Sequence, residues 1–141
     1  MATFSQTLKG DINLVGAVGG NTYNLELPIQ TSTALPNALD NSVLEEVYIK
    51  VDITAGPVEI NLPAISLFNY AWNTKIYISL VRGTPGEVNS LTVYPYFSET
   101  SVDSINGANN LTFIATYETN YLHIVDNNLW MCLNAPGVVI P

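Results

Sequence analysis

Alternating apolar and polar residues, turn chemistry recurring between the alternating runs, and the lack of any long 3.6-residue pattern predict an all-β chain. The form expected is an antiparallel β-sandwich, jelly-roll-like or related, with a C-terminal meander and a flexible N-terminal arm. Alternation carries most of this, because successive side chains of a strand point to opposite faces and only one face is buried.

In chain order, Gly16-Ala17-Val18-Gly19-Gly20 reads as a hinge behind an N-terminal arm, residues 1–20, suited to assembly. Tyr23–Ile29 puts Tyr23, Leu25, Leu27 and Ile29 on one face. Gln30–Asn41, rich in Thr, Ser, Pro and Asn, reads as a long loop. In Val47–Thr54 the residues Val47, Ile49, Val51 and Ile53 share a face, with Tyr48, Lys50, Asp52 and Thr54 opposite. Val58, Ile60 and Leu62 alternate with Glu59 and Asn61; Ile76, Ile78 and Leu80 alternate with Lys75, Tyr77 and Ser79. β-Branched and aromatic residues fill these runs, as pleated surfaces favour.

Turns separate the runs at Ala55-Gly56-Pro57, at Arg82-Gly83-Thr84-Pro85-Gly86 and at Asn106-Gly107, where both residues tolerate positive φ. The short gaps Glu118-Thr119-Asn120 and Asp126-Asn127-Asn128 join Leu111–Tyr117, Tyr121–Val125 and Leu129–Leu133 into an expected antiparallel meander, since no crossover helix fits. Ala135–Pro141 is an apolar tail that needs cover. Pro63–Trp72 has room for one short helical turn.

A length of 141 residues fits one domain. Charged residues make up 11% of the chain, against roughly 25% in ordinary domains. Asn, Thr and Ser must then supply the polar surface, and such a surface is readily buried against a partner. Four basic against twelve acidic residues give a net charge of −8. Phosphate repels such a chain, so neither nucleic acid nor an anionic membrane is an expected partner. Apolar runs such as Gly137-Val138-Val139-Ile140 are far too short for a spanning helix, and the N-terminus lacks the basic-then-apolar order of a secretory signal. Synthesis in the cytoplasm is the expectation.

From Val58 to Leu133 a sequence of fragments occurs in a definite order. Ile60-Asn61-Leu62-Pro63 is followed by Lys75-Ile76-Tyr77-Ile78 and then by Leu91-Thr92-Val93-Tyr94-Pro95. Asp103-Ser104-Ile105-Asn106-Gly107 comes next, and Tyr121-Leu122-His123-Ile124 with Asp126-Asn127-Asn128-Leu129-Trp130 closes the set. Residues 58–133 thereby resemble a β-structured module of tailed-phage virion proteins: tail fibres, head fibres and capsid decoration proteins. The chain departs from that pattern where Asn127-Asn128 stands for a glycine and where Tyr70-Ala71-Trp72 fills a polar stretch. The resemblance implies a non-enzymatic virion structural protein, a capsid decoration, head-fibre or short tail-fibre subunit. It also implies trimeric assembly and contact with other virion proteins such as the major capsid protein. The matched residues have structural roles: Pro63 ends a strand, Asn106 and Gly107 close a turn, and Trp130 packs on a sheet with its N–H directed to a carbonyl or water.

Catalytic, cofactor and metal signatures are lacking. His123 is the one histidine and Cys132 the one cysteine. No Gly-x-Ser-x-Gly elbow or zinc ligand set occurs. The pairs Glu45–Glu46 and Glu99–Asp103 read as surface carboxylates, and Asp103–Asn106 and Asp126–Asn128 as turns rather than calcium loops. Cys132 reads as a buried, inert thiol. Tyr70, Trp72, Tyr94, Tyr96 and Phe97 form two aromatic clusters near strand ends. Exposed rings of this kind anchor protein interfaces or stack on sugars. A carbohydrate-binding or adhesion module with a glycan ligand is therefore the alternative reading.

Overall fold

A computed structural model describes residues 2–7, 10–26, 45–65, 74–86, 88–98, 102–126 and 128–135. The expected tail Ala135–Pro141, beyond its first residue, and the loop Gln30–Asn41 lie outside these. Among the described residues there is no α-helix and there are eleven strands. In chain order they are β1 Ala2–Thr7, β2 Gly10–Val15, β3 Asn21–Glu26, β4 Glu45–Asp52, β5 Val58–Asn61 and β6 Thr74–Arg82. Then follow β7 Leu91–Tyr94, β8 Ser104–Ile105, β9 Leu111–Thr112, β10 Thr119–Asp126 and β11 Leu129–Ala135.

Two mixed sheets result. The first runs β1-β3-β5-β7-β9 and the second β2-β4-β6-β10-β11-β8. Consecutive strands from β1 to β7 thus alternate between the sheets, and each circuit of the chain adds one strand to both. In the first sheet Ala2 stands beside Asn21, Asn21 beside Val58 and Val58 beside Leu91, all in parallel. In the second, Gly10 stands beside Val47 and Val47 beside Ile76, again in parallel.

This corrects the expected antiparallel pairing. Among the described strands, antiparallel neighbours occur only at β6–β10, β10–β11 and β7–β9. Short gaps imply antiparallel partners only when sequence neighbours share a sheet. At residues 16–20 and 53–57 a short corner carries the chain into the other sheet, so the crossover between parallel strands is itself a strand. Of the expected meander, β10 and β11 do pair antiparallel, but its first strand is corrected: β9 lies in the first sheet, and the chain turns at Ala115–Glu118 before β10 starts at Thr119 in the second. Tyr117 takes φ 68° in that turn, which closes with Glu118 N–H donating to the Ala115 carbonyl over 3.2 Å.

The flexible arm is likewise corrected. Residues 2–7 and 10–15 are paired strands, Leu14 is buried, and the Gly16–Gly20 segment is a corner rather than a hinge. Corners stack as the strands do. Gly16 N–H donates to the Asp52 carbonyl at 2.8 Å and Ile53 N–H to the Arg82 carbonyl at 3.0 Å. At Gly56 the backbones approach so closely that a Cβ would overlap the Ala17 carbonyl, which is why glycine is needed there.

Both sheets direct apolar rows into one core. Val47, Ile49, Val51, Ile53, Val58, Ile60, Ile76, Ile78 and Leu80 are fully or almost fully buried, as the alternation predicts. Among the described residues Trp130 and Phe113 are the largest side chains fully buried. Pro63 is buried just beyond β5. Asn106 and Gly107 take φ 53° and 84° and close a two-residue turn, with Ile105 and Ala108 exchanging backbone hydrogen bonds of 3.0 and 2.8 Å. The Trp130 indole N–H, expected to reach a carbonyl or water, is buried and meets no acceptor among the described residues.

Candidate functional surfaces

The buried carboxylates, the Asn120 amide and the thiol are committed to structure. Asp103 is buried; one carboxylate oxygen accepts from the Ile65 N–H and the other from the Asn128 amide, both at 2.9 Å. Glu118 is buried too, accepting the Ile114 N–H at 2.8 Å and the Asn120 amide at 2.6 Å. The Cys132 thiol donates to the Asn120 carbonyl oxygen at 3.1 Å. Burial, with the Glu118 carboxylate adding to it, pushes that thiol up to about 11. A thiol so held is protonated at neutral pH, the less nucleophilic form. Among the described residues no group of three or more His, Cys, Asp or Glu side chains could hold a metal ion. Glu99 lies outside the described residues, and Glu45 and Glu46 stand beside Thr74 and Lys75 at the start of β4.

Two outward-facing surfaces have more to offer. The first is a row of rings across the second sheet. The in-phase registers bring Tyr48 of β4 opposite Tyr77 of β6, and Tyr77 opposite Tyr121 of β10. Tyr48 and Tyr77 stack with centroids 4.7 Å apart and planes 7° apart; Tyr121 follows at 4.8 Å and His123 at 5.0 Å beyond it. Neighbouring strands are themselves roughly 4.8 Å apart. Tyr48 and Tyr77, nearly parallel at that spacing, cover one face of each other, whereas Tyr121 is tilted by 41° to Tyr77. Lys50 is exposed beside this row, and Lys75 is half-buried on its other side. Leu133, opposite Tyr121, leaves 60% of its surface in solvent.

The second surface is a cleft of about 620 Å³ at the end of the first sheet. Its floor is another in-phase row, Asn24 of β3 beside Asn61 of β5 beside Tyr94 of β7. Its walls include Tyr96, Phe97 and Val102, and Asn109 and Asn110 line it as well. Phe97 is 75% exposed and Val102 54%. The wall is nevertheless fixed: Phe97 and Val102 form an isolated antiparallel bridge, and Asp103 N–H donates to the Tyr96 carbonyl at 3.0 Å.

No family model, curated protein or solved structure matches this chain.

The structure therefore gathers three of the five aromatic residues singled out from sequence, Tyr94, Tyr96 and Phe97, into one cleft. Tyr70 and Trp72 lie outside the described residues. The Tyr48–Tyr77–Tyr121 row was not legible as a unit, because it arises from the registers of three strands far apart in sequence. Its one local sign is that each tyrosine takes an outward position in an alternating run. A separate hollow of about 750 Å³ between the Asn106-Gly107 turn and the β10–β11 turn has no aromatic wall among its lining residues.

Proposed function

We propose that this chain is a non-enzymatic structural subunit of a tailed-phage particle, a capsid decoration, head-fibre or short tail-fibre protein that works by subunit–subunit assembly. We read its two sheets as packed face to face in a sandwich, wound as a flattened coil rather than a jelly roll. The observation that carries the functional reading is where the ordered fragments of residues 58–133 fall. They occupy strand ends, turns and core positions: Pro63 after β5, Tyr77 in β6, Asn106-Gly107 after β8 and Trp130 in β11. None of these is a reacting group. The low charge and the exposed rim of the tyrosine row supply a surface of the kind interfaces bury, with charge depleted and tyrosine enriched. Its partners are then copies of itself, in a homotrimer, and other virion proteins such as the major capsid protein; its location is the virion, after synthesis in the host cytoplasm.

Mass spectrometry of purified particles tests this directly. The polypeptide is expected among the virion proteins, and particles without it would remove the proposal. Light scattering on the purified chain should give the mass of a closed trimer; a stable monomer would shift the case to the second reading. That reading, a carbohydrate-binding or adhesion module, has the Phe97-walled cleft in its favour.

A further inference from the structure

We infer that the cleft between Asn24, Asn61, Tyr94 and Phe97 is a binding site for a neutral saccharide. The inference rests on the adhesion reading and stands apart from the assembly proposal.

The floor presents paired hydrogen-bonding groups. One amide N–H of Asn61 donates to the Asn24 side-chain carbonyl at 2.7 Å. An amide carries two donors and an acceptor with two lone pairs, so this bond leaves an N–H₂ on Asn24 and a carbonyl on Asn61 beside each other. Reversing both amides exchanges the roles but keeps one donor and one acceptor. Such a pair complements neighbouring hydroxyls of a sugar ring, each of which both donates and accepts. Asn110 accepts from the Thr112 hydroxyl at 3.2 Å, which leaves its N–H₂ directed elsewhere at the rim.

The wall supplies the stacking surface. Phe97 keeps three-quarters of its area in solvent although its backbone is held by the bridge to Val102. Exposed apolar area held on a fixed backbone is the usual form of a preformed binding wall. Sugar C–H groups carry partial positive charge and are attracted to the negative face of an aromatic ring. The tyrosine row on the other sheet offers less open ring face, since Tyr48 and Tyr77 stack on each other.

Charge fixes the ligand class. Among the described lining residues there is no lysine, arginine or histidine to neutralise an anion. The one carboxylate, Asp103, is buried and turned to structure, accepting from the Ile65 N–H and the Asn128 amide. A volume of about 620 Å³ lies within the range of small-ligand sites, roughly 300–1,000 Å³.

The test uses the purified full chain on an array of neutral glucose-, galactose-, mannose- and N-acetylhexosamine-terminated oligosaccharides, with sialylated and sulfated glycans as comparison. Calorimetry then follows on the best neutral binder. Binding to neutral members is expected, and Phe97→Ala should weaken it about tenfold or more, with Asn61→Ala giving a loss of similar order. Tyr121→Ser, on the other sheet, should leave it unchanged. Circular dichroism confirms that each variant is folded. A silent array, a preference for anionic glycans, or neutral-glycan binding indifferent to Phe97→Ala in folded protein would each overturn the inference. None of these outcomes bears on whether the chain is found in particles, so the two proposals fail separately.

Discussion

At Asn106 one side chain does the work of a strand. Its amide donates to the Cys132 carbonyl at 3.3 Å and its carbonyl accepts the Cys132 N–H at 2.8 Å, so the edge of β11 stays satisfied where β8 has ended. Its backbone takes φ 53°, which few residues other than glycine and asparagine adopt readily. Asn106→Gly keeps the conformation and loses the two bonds, which should cost about 1–2 kcal/mol in urea unfolding. Asn106→Ala loses both and should cost about 1 kcal/mol more; equal losses would mean the conformation contributes nothing. Cys132 sets a pH dependence with a definite sign. Between the ordinary thiol value of 9.0 and about 11, the unfolded chain releases a proton that the fold retains. Stability should therefore fall as pH rises through that window and be insensitive to this group below it. Thiol-directed reagents at pH 7 should label Cys132 only after denaturation. Asp52 works in the opposite direction. The Thr54 hydroxyl and N–H, with Arg82 adding attraction, hold its carboxyl below the usual range. Its contribution is present above the ordinary carboxylate value and is lost as pH falls.

For the strands, register has energetic content. Tyr77 stacks on Tyr48 and meets Tyr121 on the other side, whereas Tyr48 has one ring neighbour in the row. Cross-strand aromatic pairs contribute roughly 0.5–1 kcal/mol each. Tyr77→Ala should therefore destabilise by about 1–2 kcal/mol and Tyr48→Ala by about half of that. A double-mutant cycle between the two should return a coupling of about 0.5–1 kcal/mol, and zero coupling would show the stack to be incidental. The corners impose a different constraint. Gly56→Ala would drive a methyl into the Ala17 carbonyl and should cost more than about 2 kcal/mol, because backbone rather than a flexible side chain stands in the way. Gly86→Ala meets nothing within 4 Å and serves as the control.

Over the whole molecule, the winding sets the folding rate. Ala2 must find Asn21, Asn21 must find Val58 and Val58 must find Leu91 before the first sheet exists. Those pairings are far apart in sequence, and loop-closure entropy opposes each one before contacts reward it. Refolding should take milliseconds to seconds, with the β10–β11 hairpin as a local nucleus; stopped-flow tryptophan fluorescence reports it. The two sheets also divide the surface chemically. The outward row of the second is aromatic and flanked by Lys50 and Lys75, two of only four basic residues in the chain. The outward rows of the first are amide and hydroxyl, with Thr22 reaching the Glu59 carboxylate at 3.4 Å.

Alternation by itself determined which residues of β4, β5 and β6 are buried. That is a local property: side-chain direction follows from backbone pleat, whatever the strand pairs with. The Asn106-Gly107 turn was legible for the same reason, since its φ angles depend on two residues. Pairing was not legible. Whether a short corner returns a chain along its own sheet or carries it into the other one depends on where distant strands already lie. Alternation is the same in both cases, so the sequence favoured antiparallel partners and the tertiary structure decided for parallel ones. The tyrosine row and the asparagine floor belong to that same decision: each is made of residues unremarkable in their own strands, brought side by side only because the registers are in phase.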